Sequence, residues 1–309
     1  MALGKFFTKK EEAVSAKKSV SVGTQKPVPP AAKRHVVALT RRPVVTADAA
    51  GSPLTKQDAL IIKNLNLFKN YNKHKNSVLE NCITIEKLAA YRVISLLLHV
   101  NISGLPGYIE NPKVPNGIKH FKISNEQLDV AKKLFRGVFL NDTYLKSIKE
   151  ENCKIESLLT IGSIGSIAQN SDFDFWLCVN EDDFASEEIF LLKRKLKKIE
   201  EWADDKFDLE VHFFITDFKK AIRNEFGATD EESTGTAMAK LLKEEFLRSY
   251  FLVAGKIPYW SVMPVDTNES SYNKIVDYIE KSKHINEDNF IDLGPTPSIS
   301  TDEYFGAAL

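Results

Sequence analysis

Apolar side chains recur at Leu88, Val93, Leu96, Leu97 and Val100, close to the 3.6-residue period, and predict helix within residues 56–104. Gly104, Pro106 and Gly107 should end it. A second helix is expected from Ser124. Ser124 and Gln127 have the spacing of a capping box, and Ile123 and Leu128 that of a hydrophobic staple. Leu128, Ala131, Phe135 and Val138 supply its buried face. From Ser157 the period changes. Leu158 to Ile161 and Phe173 to Val179 read as strands, and Ser186 to Ala203 as an amphipathic helix. That helix has Ile189, Leu192, Leu196 and Ile199 on one side and Lys193, Arg194, Lys197 and Lys198 on the other, a solvated face. Leu209 to Ile215 reads as a third strand, and Met238 to Ala254 as a further helix stopped by Gly255. The pattern is that of an α/β (α+β) protein with a mixed sheet and flanking helices. A helical segment, 56–150, precedes a core over 151–309.

Residues 1–55 carry no such pattern. They are rich in Lys, Ala, Val, Pro and Ser, with no aromatic residue after Phe7, and cannot bury enough apolar area to offset chain entropy. Disorder is expected there. The formal charge of the 309-residue chain is zero, but residues 1–50 hold ten Lys/Arg against three acids, so this tail is +7 and the remainder −7. A solvated extension is the plainer reading of the tail than a lipid- or RNA-binding arm, and no global field marks a nucleic-acid binder. Cys82, Cys153 and Cys178 show no CxxC spacing, which suits a reducing compartment. No stretch approaches the ~20 apolar residues of a bilayer span. The chain therefore reads as soluble and cytoplasmic, without a transmembrane segment.

One segment carries chemistry. The strand ending at Ile161 runs into Gly162-Ser163, a small-residue turn and a helix start, where backbone N–H groups can approach a phosphate. Asp172 and Asp174 follow on a strand. Alternate side chains share a face, so both carboxylates project together, ~7 Å apart at Cα, while Phe173, Phe175 and Leu177 face a core. Carboxylates so placed repel each other, and a bound cation relieves them. Mg²⁺ suits a few carboxylates plus substrate phosphate oxygens. On the next strand Glu210 and His212 share a face, and Glu210 is the expected third acid, with Asp208 of the same parity as its competitor. His212, Trp176 and Cys178 are expected to hydrogen-bond or pack near the site rather than ligate metal.

Gly-Ser, then Asp-x-Asp on a strand, then a third acid resembles the DNA polymerase β-like nucleotidyltransferases. Gly162-Ser163 with Ser166-Ile167-Ala168-Gln169, then Ser171-Asp172-Phe173-Asp174-Phe175-Trp176-Leu177-Cys178, resembles more closely the class I adenylate cyclases of bacteria. The likeness runs over roughly residues 87–309. It includes Leu97-Leu98-His99, Leu105-Pro106-Gly107-Tyr108, Glu210-Val211-His212-Phe213-Phe214, Ala254-Gly255-Lys256 and Glu303-Tyr304-Phe305-Gly306-Ala307.

The resemblance implies conversion of ATP to cyclic AMP and pyrophosphate by a two-metal mechanism. Asp172, Asp174 and Glu210 would hold Mg²⁺, and Gly162, Ser163 and Ser166 would bind the nucleotide. Arg248 and Lys256 are candidates for the triphosphate charge, with salt bridges at a surface or helix end as their alternative. Transfer of a nucleotide to an external hydroxyl, or ATP binding without turnover, are the rival readings. Two departures stand out. The loop between Ser163 and Asp172 is shorter than the family's. The family also continues past Phe305-Gly306 into further catalytic region and a regulatory region, through which a regulatory protein would act. Ser300 and Glu303 cap a helix that reaches only Leu309, short of the ~12 residues needed for marginal stability alone. The core thus reads as cut, and weak MgATP binding with little cyclic AMP is the expectation for these residues alone.

Overall fold

In a computed structural model, residues 53–141, 145, 148–161, 172–225 and 236–299 are described. The tail 1–52, Gly162, Ser163 and Ser166, and the capping box at Ser300 lie outside them. The described chain is mixed α/β, built on a four-stranded sheet with helices on both faces.

The first helical stretch is two helices, α1 (Lys56–Cys82) and α2 (Ile85–His99), rather than one reaching residue 104. Ile83 is extended, and the Thr84 side chain caps α2 by accepting from the Lys87 N–H. One capping hydroxyl is enough to restart the helix. α1 is itself opened by a capping box, Thr55 with Asp58. α2 is buried nearly all round, as a helix at the centre of a core must be. α3 (Asn125–Leu134) starts at the expected Ser124–Gln127 box, with Leu128 and Ala131 buried.

The sheet comprises β1 (Ser157–Ile161), β2 (Phe173–Val179), β3 (Val211–Asp217) and β4 (Phe251–Gly255) in the order β3-β2-β1-β4. β1 pairs antiparallel with β2 and with β4, and β2 pairs parallel with β3. A parallel pair needs a crossover, and α4 (Ser186–Phe207) supplies it. Leu158, Phe173, Phe175 and Leu177 point to one face, against α2 and α4, with Tyr91 packed on both phenylalanine rings. Leu159, Ile161, Trp176 and Cys178 point to the other, against Phe246, Leu247 and Tyr250. Trp176 and Cys178 are thus packing residues, as expected, although they share the parity of Asp172 and Asp174. α5 (Phe218–Ile222) follows β3. A short parallel pair, β5 (Ile257–Pro258) with β6 (Phe290–Ile291), and α7 (Glu269–Lys281) complete the described fold.

One expected helix divides into two elements. α6 (Thr236–Ser249) ends five residues before Ala254, and Phe251–Gly255 is β4. The run Tyr250-Phe251-Leu252-Val253 suits either state locally, and pairing with the buried β1 decides it. Gly255 is therefore no helix stop. It has φ 98°, and a Cβ there would lie 2.5 Å from the Glu156 carbonyl oxygen. The outer edge of β4 is closed by Asn72 of α1, whose amide donates to Leu252 O at 2.7 Å and accepts from Leu252 N–H at 2.9 Å. The helical segment and the sheet consequently share one core.

At the β4 end of β1, Glu156 is buried between Lys119 (2.5 Å) and Lys256 (2.9 Å). Burial works to raise its carboxyl, but the two ammonium groups outweigh that and hold it below its ordinary range. Removing one charge from a buried pair strands the others, so Glu156→Gln should cost about 3 kcal/mol in urea unfolding at neutral pH. A carboxyl depressed by folding contributes stability above its unfolded pKa and loses it as pH falls. The difference between wild type and variant should therefore shrink as pH drops below 4.5.

Candidate functional site

β2 and β3 begin side by side, and their parallel register sets Phe173 against Val211 and Asp174 against His212. The Phe173 N–H donates to the Glu210 carbonyl at 2.9 Å, so the pairing extends one residue beyond β3. α4 closes at Asp208, which is left-handed at φ 49°. β3 accordingly starts at Val211, two residues later than its pattern suggested, and Leu209-Glu210 is the lead-in. Because Phe173, Phe175 and Val211 are anchored in the core, the intervening side chains project together on the opposite side.

Asp172, Glu210 and His212 meet there. Each offers one donor atom, and these atoms lie within 4.8 Å of one another. His212 Nε2 is 3.1 Å from Glu210 Oε1. Glu210 is exposed, whereas Asp172, Asp174 and His212 are half-buried. Burial raises the Asp172 carboxyl, and the charge and hydrogen bond of Glu210 raise it further, against an opposing pull from His212. Asp174 is also raised, chiefly by burial, with His212 lowering it and Asp172 and Glu210 adding to the rise. The cluster thus holds more negative charge than its surroundings compensate, the condition a divalent cation relieves. The next residues on the same face are aromatic. Trp176 stacks on Phe214 at 5.0 Å and packs against Phe246 at 5.4 Å.

The other candidates fall elsewhere. Asp208 is fully exposed at its side chain and faces Lys87 at 3.9 Å. Lys256 lies at the opposite end of the sheet. Ser157 is its neighbour through Gly255, whereas Ile161 is the β1 residue paired with Asp174, ~13 Å further along at 3.3 Å per residue. Its ammonium is held by Glu156. Arg248 is exposed on α6 and bonded to Glu244 at 2.6 Å. Both adopt a salt bridge, and Lys256 is not brought to the acidic cluster. Gly162, Ser163 and Ser166 belong to the residues not described. His212 hydrogen-bonds beside the site as expected. Its place among the donor atoms was missed, although its shared parity with Glu210 was the available signal.

The family model described as "Adenylate cyclase NT domain" matches residues 62–261. Proteins named adenylate cyclase are similar to the chain: one from Pasteurella multocida is 32% identical over 223 residues, covering 71% of this chain and 26% of the relative. One from Haemophilus influenzae is 35% identical over 227 residues, 70% and 26% respectively. One from Escherichia coli K12 is 32% identical over 223 residues, 71% and 25%. The chain thus spans about a quarter of the length of the curated relatives it matches. No solved structure is significantly similar. Among the described residues, no helix is long and apolar enough to cross a membrane.

Proposed function

The chain belongs to the adenylate cyclase NT domain family, and from that membership we propose that its acidic strand ends grip cation and triphosphate in a site that converts ATP to cyclic AMP and pyrophosphate. The observation that carries the proposal is the convergence of Asp172, Glu210 and His212, with donor atoms within 4.8 Å, at the start of two hydrogen-bonded strands. The fold, on this reading, is polymerase β-like.

The donor set fits a divalent cation, because burial and the neighbouring acids raise the Asp172 and Asp174 carboxyls further than His212 lowers them, a strain that a bound cation relieves. Asp172, Asp174 and Glu210 would hold Mg²⁺, which takes one or two carboxylates plus substrate phosphates. When bound, the metal ions supply charge for the triphosphate and make the ribose 3′-hydroxyl easier to ionise. The chain's own residues do the positioning. Phe173 and Phe175, locked against Tyr91, fix the spacing of the two aspartates. On the same face, two residues further along, Trp176 and Phe214 stack and leave no polar neighbour from those two positions. Such rigidity matters because ~1 Å of misalignment between a nucleophile and phosphorus can cost on the order of 10²-fold. Gly162, Ser163 and Ser166 remain the proposed phosphate cradle.

Because the matched stretch is only a quarter of the relative, the test is a chimera in which this chain replaces the matching quarter of the Escherichia coli protein. With α-labelled ATP and Mg²⁺ the chimera is expected to release labelled cyclic AMP. Label on an added hydroxyl acceptor would instead make the site a nucleotide transferase. ATP binding without product would make it a binding module.

A further inference from the structure

We propose, resting on the cation site above, that His212 is itself a ligand to the divalent cation, and that it shifts the site from Mg²⁺ towards first-row transition ions such as Mn²⁺. The geometry carries this. Two ligands at right angles on an octahedral ion, each ~2.1 Å from it, are about 3.0 Å apart. His212 Nε2 and Glu210 Oε1 are 3.1 Å apart, the spacing of neighbouring ligands on one ion. The third donor, from Asp172, falls within the same 4.8 Å.

The backbone fixes this arrangement rather than leaving it to side-chain freedom. His212 is registered directly against Asp174, and Glu210 precedes it by two residues, so all face the same side. Next to it, Phe213 stacks on Phe175 at 5.4 Å, and the Phe213 N–H donates to Glu200 at 3.1 Å, which pins β3 against rotation about its axis. The imidazole is 40% exposed at its side chain, open to an incoming ion. A purely carboxylate site would suit the hard Mg²⁺ ion. A nitrogen donor adds affinity for transition ions and little for Mg²⁺.

The test uses the 309-residue chain with Mn²⁺ as the probe. Pulsed electron paramagnetic resonance of bound Mn²⁺ should show coupling to an imidazole nitrogen. In His212→Gln that coupling should vanish and Mn²⁺ affinity fall about tenfold or more, while Mg²⁺ affinity, read by competition, moves no more than about twofold. Equal weakening of both ions would overturn the proposal, since a histidine that only orients Glu210 affects them alike. Mn²⁺ that binds without nitrogen coupling in wild type, yet is weakened by Asp172→Asn, would also overturn it and leave the cation site standing. Mn²⁺ binding indifferent to Asp172→Asn would overturn the cation site and the ligand role together.

Discussion

Asp172→Asn and Asp174→Asn are each expected to lower cyclase turnover of the chimera by ~100-fold or more, about 2.7 kcal/mol of transition-state stabilisation. Asn keeps the shape of Asp and one acceptor oxygen but removes the negative charge that a cation needs. The two positions should be separable in their stability effects from a folding defect. Both carboxyls are raised by burial, and by the neighbouring acids, so folding disfavours their ionised form. A carboxyl raised by folding makes the native state bind more protons than the unfolded state above pH 3.8, and stability then falls as pH rises through that window. Neutral Asn escapes this loss. Thermal unfolding at neutral pH without divalent ions should therefore find both variants at least as stable as wild type. Added divalent cation should stabilise wild type and not the variants. A variant that keeps most of its turnover would remove its residue from the mechanism. A variant that is inactive and unfolded would show that the aspartates hold the fold instead.

The candidate site was legible because it depends on parity, which a strand writes into sequence directly. Phe173 and Phe175 alternate with Asp172 and Asp174, and Val211 lies between Glu210 and His212, so each strand declares its faces without knowledge of its neighbour. Register is different. Nothing local sets Asp174 against His212, or carries Glu210 to Asp172, since that follows from the α4 crossover and the left-handed turn at Asp208. For the same reason His212 was expected beside the site but not among its donors. Local capping chemistry is plain at Ser124, where Gln127 completes a capping box, and faint at Thr84, where position N3 is Lys87 and only the threonine side chain caps. The β4 segment was misread because Phe251 to Ala254 is apolar at every position, a pattern that helix and buried strand share. Only β1, buried along its whole length and in need of a second partner, selects the strand. Lys256 and Arg248 show the converse limit. Charge and family order nominated them, but contact geometry placed them on Glu156 and Glu244.

Glu210→Gln is expected to abolish divalent-dependent activity of the chimera, a loss of ~100-fold or more, while Asp208→Asn stays within about twofold of wild type. Parity alone permits either acid, because both lie on the same side of an extended chain. The structure separates them by conformation. Asp208 has φ 49°, which ends α4 and turns its side chain to solvent, where Lys87 at 3.9 Å is its ion-pair partner. A long ion pair to a fully exposed carboxylate is screened by water, so its loss should barely register. Asn also accepts the left-handed conformation more readily than most residues, which keeps the turn intact. Glu210 instead shares its backbone carbonyl with the Phe173 N–H, and its carboxylate reaches both Asp172 and His212. Gln at 210 preserves that backbone bond and the side-chain volume. Any loss of activity then reports the missing charge. Paired measurements of cyclic AMP formation and Mn²⁺ binding on the two variants decide the matter. If Asp208→Asn proves the damaging change and Glu210→Gln the mild one, the third acid lies two residues earlier, and the donor cluster at the start of β3 is not the cation site.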